Sequence, residues 1–470
     1  MTITTIQRVS GATDLVPQKH DSPRILLISD VLGLVTCWQL VFWLRFENIL
    51  NFADPVFYLL SALILSSLYL AEAYRPDTQI NGLRAPIRIV ISSFIVGIAI
   101  ASLLHLTEPI GVTQTIGRRV WIPSLGLFTI WAITTRIISV GWLKIYALQN
   151  RWLLFGKDST ALNFAQDLMS RDVLDRFVVV VEDDYKAAEL ENRGFNCLNN
   201  INELVGEGRS NWSGVVLSSE MSLNDQQVRK LMTLRLQGIP VYRLPEFYEA
   251  LWYKLPASFL QDDWFVFSEG FNLTPRSMTS RFKRLADMVA SMIFLLLLSP
   301  IMMLVAIAVK LESPGPVFYS QIRTGVSRIP FRVYKFRSMR QDAEKQGAQW
   351  ASKSDARITK VGNFIRLTRL DELPQFWNVL KGDMSLVGPR PERPEFDVKL
   401  AEAIPYYDVR YLVKPGITGW AQVMYPYGAS VEDAYEKLSY DLYYIKNYSV
   451  WLDIAIVFKT VRVVLLGKGR

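Results

Sequence analysis

Apolar residues follow three different rhythms along this chain. In the first third they form four long runs, at residues 25–44 (ILLISDVLGLVTCWQLVFWL), about 56–71, 89–107 and 120–143, with Asp30 and Arg136 the charges inside the first and the last. A bilayer core takes about 20 residues of apolar helix. The runs therefore predict a four-helix transmembrane domain over 25–147, behind a polar tail of residues 1–24. Four runs in succession after a polar tail do not read as a signal peptide. Arg8, Lys19 and Arg24 in the tail, and Arg75, Arg84 and Arg88 in the second loop, place both on the cytoplasmic side. Arg118 and Arg119 count against that orientation.

From residue 151 the rhythm shortens. RWLLF, FVVVV, GVVLSS and GIPVYRL are brief apolar runs with polar, helix-compatible stretches between them. That alternation belongs to a parallel sheet with covering helices, so 148–265 is read as a Rossmann-like domain. Its first turn, Phe155-Gly156-Lys157-Asp158-Ser159, keeps one glycine where a dinucleotide fingerprint has three. A packing or regulatory role is expected ahead of nucleotide binding.

The last third opens on a fifth apolar run, 288–309, long enough to span. Ser299-Pro300 sits at its centre, and proline disrupts a helix interior. The flanks are basic on both sides: Arg281, Lys283 and Arg284 before, Lys310 and Arg323 after. A re-entrant helix over about 285–310, leaving by the leaflet it entered, satisfies both features; a Pro-kinked span is the alternative. The final SVWLDIAIVFKTVRVVLL is interrupted by Asp453, Lys459 and Arg462. It is expected to be an interfacial or dimer-packing helix, which leaves a homodimer open.

Composition narrows the chemistry. Only Cys37 and Cys197 occur, which excludes a disulfide scaffold and a Cys₄ zinc site. His20 and His105 are the only histidines, so beyond residue 105 reaction chemistry has to use carboxylates, Lys, Arg, Tyr or hydroxyls. The net charge of +8 divides into +3 over 1–150, −6 over 151–270 and +11 over 271–470. The basic third implies an anionic partner: nucleic acid, acidic lipid or a phosphorylated small molecule.

The most informative stretch is IRLTRLDELPQ, residues 365–375. Pro374 and Gly382 predict a helix starting near Asp371 and stopping at the glycine. At a helix N-terminus the dipole would keep Asp371 ionised, as a nucleophile requires, and Glu372 could hold Mg²⁺ with substrate phosphates. An ordinary aspartate N-cap is the competing reading. In FRVYKFRSM (331–339), Lys335 and Arg337 would share one face of a strand. Arg390, between Pro389 and Pro391, presents a planar guanidinium suited to phosphate. Pro415-Gly416 predicts a turn before Thr418-Gly419-Trp420. Trp420 is either a stacking surface for a base or packing. Asp441 opens DLYYIKN.

The blocks KRLADMVASMIFLLLLSPIMM, SPGPVFYSQIRTG, YKFRSM, LDELPQFWNVLKGDMSLVGPRP, VKPGITGWAQV and YDLYYIKNYS, in this order over 280–470, resemble the bacterial sugar transferases that act as polyprenyl-phosphate hexose-1-phosphate transferases. The N-terminal spans and Rossmann-like middle resemble the large members. The resemblance implies a membrane α-helical N-terminal part, an α/β middle domain, and an α+β catalytic domain over 280–470 broken into the membrane at Ser299 and Pro300. It implies Asp371 as nucleophile and Glu372 as Mg²⁺ ligand. Lys335, Arg337, Arg366 and Arg390 would lie near the phosphates, with Thr418, Trp420 and Asp441 as nucleotide contacts. Where family members often carry Asn-Gly after GWAQ, this chain reads VMYPYGAS (423–430), similar to the subgroup linked to exosortase-associated exopolysaccharide systems.

The implied reaction joins a UDP-hexose to polyprenyl (undecaprenyl) phosphate through a phosphosugar on Asp371, with release of UMP, at the cytoplasmic face of a bacterial inner membrane. Nucleic acid is then not needed to explain the basic third. A membrane glycosyltransferase releasing UDP is a rival, but Glu182-Asp183-Asp184 lies outside the basic third. A non-catalytic polysaccharide-assembly scaffold is another. A tethered dehydratase is disfavoured by the glycine-poor turn at 155–159. The polar stretch 340–358 is expected to be a surface excursion, with a lid over the nucleotide as the alternative.

Overall fold

A computed structural model describes residues 22–49, 55–71, 73–74, 84–107, 118–149, 151–156, 164, 167–168, 177–180, 196–198, 212–218, 223–271, 273, 278–340, 357–425, 428 and 430–465. The tail 1–21, the turn at 157–159, the acidic run 182–184, the stretch 341–356, and 426, 427 and 429 lie outside them, as do expectations that fall there. The chain divides into two compact units, Met1–Trp252 and Tyr253–Arg470.

The first unit opens with α1 (Ser22–Phe46), α2 (Pro55–Leu70), α3 (Arg84–Thr107) and α4 (Arg118–Gln149). Stretches Arg24–Phe46 and Arg119–Ser139 are long and apolar enough to cross a membrane, while the apolar parts of α2 and α3 are shorter. Trp38, Phe57, Leu60, Ile64, Ile100 and Phe128 fill the space between the helices. Ile28, Phe94, Ile95 and Ile138 point outward, an apolar exterior that suits lipid. A Cβ at Gly33 would collide with the Trp131 indole, so glycine is what lets α1 and α4 touch. The charges inside the first and last runs find each other: Arg136 forms a bidentate pair with Asp30, both fully buried, and the Tyr74 hydroxyl donates to Asp30 Oδ2 at 2.7 Å. Charges in such surroundings persist only when paired.

Within the same unit, β1 (Arg151–Phe155), β2 (Phe177–Val180), β3 (Asn196–Leu198), β4 (Trp212–Leu217) and β5 (Val241–Arg243) form a parallel sheet in the order β3-β2-β1-β4-β5. β1 and β2 are near-continuous apolar runs because a parallel sheet is covered on both faces. One face packs on α5 (Asp225–Leu236), opened by an Asn224–Gln227 capping box, through Leu231 against Leu153 and Phe155; the other packs on α6 (Leu244–Trp252), whose Phe247 meets Trp152 edge-on.

The second unit begins with α7 (Asp262–Phe267) and α8 (Met278–Glu312), then the hairpin β6 (Phe318–Thr324) and β7 (Pro330–Phe336). α9 (Lys360–Leu367), α10 (Gln375–Lys381), β8 (Ser385–Val387) and α11 (Pro394–Ala403) follow. β9 (Gly416–Thr418) pairs in parallel with β8, and α12 (Trp420–Met424), α13 (Val431–Lys446) and α14 (Val450–Leu465) end the described chain. Residues 253–265, grouped above with the middle segment, pack in this unit: Leu255, Leu260 and Trp264 share a core with Leu400, Tyr407 and Leu442.

Ser299 and Pro300 do not interrupt α8, which stays helical through both. Proline removes the N–H that would bond Leu296 O, four residues back. The Ser299 hydroxyl donates to that same carbonyl at 2.8 Å and takes its place.

Candidate active site

Three elements converge on two carboxylates. α9 is opened by Thr359, whose hydroxyl accepts from Gly362 N–H at 2.9 Å, and ends at Thr368. Arg369 then takes a left-handed backbone, φ 59° and ψ 14°. That conformation costs a residue with a side chain about 1–2 kcal/mol. The reversal turns the chain into a single 3₁₀ turn, Leu370–Glu372, and buries Asp371 and Glu372, each 7% exposed. Pro374 leads into α10, which Gly382 stops at φ 97°. The helix thus begins at Gln375 rather than near Asp371, because the 3₁₀ turn intervenes.

α10 is docked on β7 by one buried side chain. Asn378 Nδ2 donates to Arg332 O at 2.7 Å, and its Oδ1 accepts from Tyr334 N–H at 3.1 Å. This anchorage sets Lys335, next along the strand, against Glu372: Lys335 Nζ to Glu372 Oε1 is 2.8 Å. Arg390 arrives from the loop after β8, with Nη2 2.7 Å from the same Oε1. Arg369 stands at 3.9 Å. Burial opposes ionisation of Glu372, but Arg390, Lys335 and Arg369 hold it well below the usual carboxylate range.

Asp371 differs. No hydrogen bond or ion pair engages its carboxylate among the described residues. Burial, then the neighbouring charge of Glu372, push it up to about 6, against the pull of Lys335, Arg369 and Arg366. The expected effect of a helix dipole is therefore outweighed by desolvation. One carboxylate is locked in ion pairs, and the other is buried, unengaged and ionised at neutral pH.

Of the other sequence-derived candidates, Arg366 alone is described near the two carboxylates. β7 ends at Phe336, so alternation no longer governs Arg337. Its guanidinium turns to the C-terminal end of α8 and donates to Ser313 O at 2.7 Å and Pro314 O at 2.8 Å. Thr418 shares a hydrogen bond with Thr460. Trp420 is packing: 5% exposed, stacked on Tyr443, with Nε1 donating to Tyr253 O at 2.9 Å. Asp441 is buried against Arg410. Ser299 and Pro300 are exposed in mid-α8. Arg366 sits in the last turn of α9, within electrostatic range of Asp371. Arg369 and Arg410 were not singled out by the sequence. Arg369 adjoins the carboxylates, but its left-handed backbone has no signature in a non-glycine residue, and Arg410 sits in a short turn without periodicity. Trp420→Ala is expected to lower stability by about 3–5 kcal/mol. Thermal unfolding would check the loss.

No group of three or more potential ligands gathers among the described residues. The chemistry present suits a divalent cation held partly by substrate: both bonds to Glu372 fall on Oε1. Oε2 and the Asp371 oxygens remain for an ion such as Mg²⁺, which typically uses one or two carboxylates plus phosphates.

Residues 278–467 match the model of the bacterial sugar transferase family. A UDP-glucose:undecaprenyl-phosphate glucose-1-phosphate transferase of Escherichia coli (strain K12) is 35% identical over 351 residues, 73% of this chain and 74% of that protein. An undecaprenyl-phosphate glucose phosphotransferase of Komagataeibacter xylinus is 31% identical over 492 residues, 97% and 87% of the two chains. A UDP-N-acetylgalactosamine-undecaprenyl-phosphate N-acetylgalactosaminephosphotransferase of Aeromonas hydrophila is 46% identical over 241 residues. That match spans 51% of this chain and 56% of the relative.

Proposed function

The chain belongs to the bacterial sugar transferase family, and from that premise we propose that it transfers a hexose 1-phosphate from a UDP-sugar to undecaprenyl phosphate in two displacements. The observation that carries the reading is the division of labour between Asp371, unengaged, and Glu372, held by Lys335 and Arg390. An Asp371 oxygen attacks the sugar-linked phosphorus. The bond from that phosphorus to the bridging oxygen breaks, UMP leaves with that oxygen, and a phosphosugar stays on Asp371. An oxygen of polyprenyl phosphate then attacks the adduct, frees Asp371 and yields polyprenyl-diphosphate-hexose. Covalent catalysis of this kind replaces one difficult displacement by two easier ones. A carboxylate needs no general base, which suits a region without histidine.

Lys335 and Arg390 spread the charge of the transferring group, and Glu372 holds both in place. Mg²⁺, bound through Glu372 Oε2 and substrate phosphates, would add further charge neutralisation. Arg366 and Arg369 lie within electrostatic reach of Asp371 and would help attract a second phosphate.

A membrane-re-entrant α8 fits this scheme. Over a straight helix Lys283 and Val309 would lie about 39 Å apart, more than a hydrocarbon core. Yet one body holds both ends: Lys283 bonds Asp453 at 2.6 Å, Ser385 bonds Asp287 at 2.7 Å, and Val309 and Val305 pack with Phe336 and Ile365. A body touching both ends favours entry and exit on one face, the cytoplasmic face of the inner membrane in this reading, where a lipid phosphate is within reach. The parallel sheet of the first unit has the strand order of nucleotide-binding folds. We read it as a Rossmann-like domain serving packing or regulation.

The test is product identity. With UDP-sugars and polyprenyl phosphate, UMP release and a lipid diphosphate-sugar are expected; UDP as product would replace this reading with a glycosyltransferase. The pH dependence follows from Asp371 near 6. Protonation removes the nucleophile, so kcat/KM is expected to be level above that value and to fall about tenfold per pH unit below it. A profile level down to pH 5 would rule out Asp371 as the titrating group.

A further inference from the structure

Arg390 reaches Glu372 from a loop that cannot hold itself. Pro389 and Pro391 lack an N–H, so the segment builds no ladder of its own and its carbonyls need donors from outside. They are taken by donors from three places: β9, β6 and the 3₁₀ stretch Tyr407–Leu412. Gly416 N–H donates to Pro389 O at 2.9 Å, and Thr324 N–H to Glu392 O at 3.0 Å. Arg410 Nη2 donates to Arg390 O at 2.8 Å, and Arg323 Nη1 to Pro391 O at 3.2 Å. The first two donors are backbone, which almost any residue supplies. The other two require a long cationic side chain at one position.

Arg410 is the more constrained of these. It is 8% exposed and sits in the 3₁₀ stretch Tyr407–Leu412. Its Nη1 donates to the Tyr407 hydroxyl, whose own proton goes to Asp397 Oδ1 at 3.0 Å, and its guanidinium lies 4.9 Å from the Tyr407 ring centre. Asp441 of α13, 2% exposed, accepts at 3.2 Å from the same Nη2 that serves the Arg390 carbonyl. A buried arginine so engaged has one available geometry. Neither Arg410 nor Asp441 bonds Asp371 or Glu372 among the described residues, so any effect on the reaction passes through the loop.

We propose that Arg410, oriented by Asp441, is a positioning residue: it fixes the Arg390 carbonyl and thereby aims the Arg390 guanidinium at Glu372 and the phosphate bound beside it. The inference rests on the transferase reading of the site. It reassigns Asp441 from the nucleotide to the scaffold of the loop. Displacing a charge-stabilising group by about 1 Å is enough to cost a hundredfold in rate, and Arg410 supplies the bond to the carbonyl of Arg390 itself.

The test is a double-mutant cycle on the full-length membrane-embedded enzyme, read as initial UMP release from a UDP-sugar the wild type turns over. Arg410→Gln and Asp441→Asn are expected to lower kcat by about 10–100-fold, with KM for the UDP-sugar within about threefold. Because the loss passes through Arg390, Arg410→Gln combined with Arg390→Ala should be no slower than Arg390→Ala alone. Multiplying losses in the double variant, or an Arg410→Gln rate within about threefold of wild type, overturns the proposal. If thermal unfolding shows Arg410→Gln misfolded, Asp441→Asn and Arg410→Lys enter the same cycle with the same criteria. Hydrogen exchange of the peptide spanning 388–393 reads the loop independently of turnover. It should rise about tenfold or more in Arg410→Gln, and unchanged exchange overturns the positioning role. Failure of the wild type to release UMP from any UDP-sugar would instead remove the transferase reading, with the exchange result still deciding whether Arg410 holds the loop.

Discussion

Asp371→Asn is expected to cut UMP release by about ten-thousand-fold or more, leaving at most a trace. Among the described residues no neighbouring group is placed to take over the attack. The adjacent carboxylate there is Glu372, and Lys335 and Arg390 already occupy its Oε1. The substitution is close to isosteric and removes a charge whose burial pushes its carboxyl up to about 6. Above that pH the ionised form burdens the native state relative to the unfolded chain. The variant should therefore unfold no earlier than the wild type at pH 7.5, which separates lost chemistry from lost structure. Intact mass after incubation with UDP-sugar alone supplies a second readout: a hexose-phosphate increment on the wild type and none on Asp371→Asn. Retention of more than about one per cent of wild-type UMP release would exclude Asp371 as the nucleophile.

Glu372→Gln should have the next largest effect, about a thousandfold loss in kcat. An amide keeps the shape but removes the charge against which Lys335 and Arg390 are aligned, so neither cation is held in place by it. The effect on Asp371 has a definite sign. The Glu372 charge is among the causes that hold its carboxyl high. Removing that charge lowers it, and the acid limb of any residual activity should move below pH 6. An unmoved limb, or activity within threefold of wild type, would remove Glu372 from the proposed role. The loss should persist at saturating Mg²⁺, because the cations are misaligned whether or not the metal is bound.

The parts of this site that were legible in the sequence are those whose chemistry is local. Asp371-Glu372 ahead of Pro374, and Arg390 between two prolines, can be read from neighbours a few positions away. Arg337 shows where such reading stops. The period of two holds only while the strand lasts, and β7 ends one residue earlier, at Phe336. Trp420 and Asp441 had the right chemistry for a nucleotide, but an indole at 5% exposure and a carboxylate at 2% are already committed to Tyr253, Tyr443 and Arg410. Pro300 predicted a break, and the Ser299 hydroxyl beside it supplied the missing donor to Leu296 O.

The sequence by itself determined where the chain changes from long apolar runs to short ones, where its positive charge collects, and which adjacent carboxylates precede Pro374. These depend on period, composition and adjacency, which are properties of the chain. Only the tertiary structure decided which of the two carboxylates is held by cations and which is buried without a partner. The partners of Glu372 come from 37 residues before it and 18 after, and the alignment of Arg390 depends on Arg410, 20 residues further on. Ionisation inside a protein follows the charges and water that folding places around a group, and no local pattern encodes either.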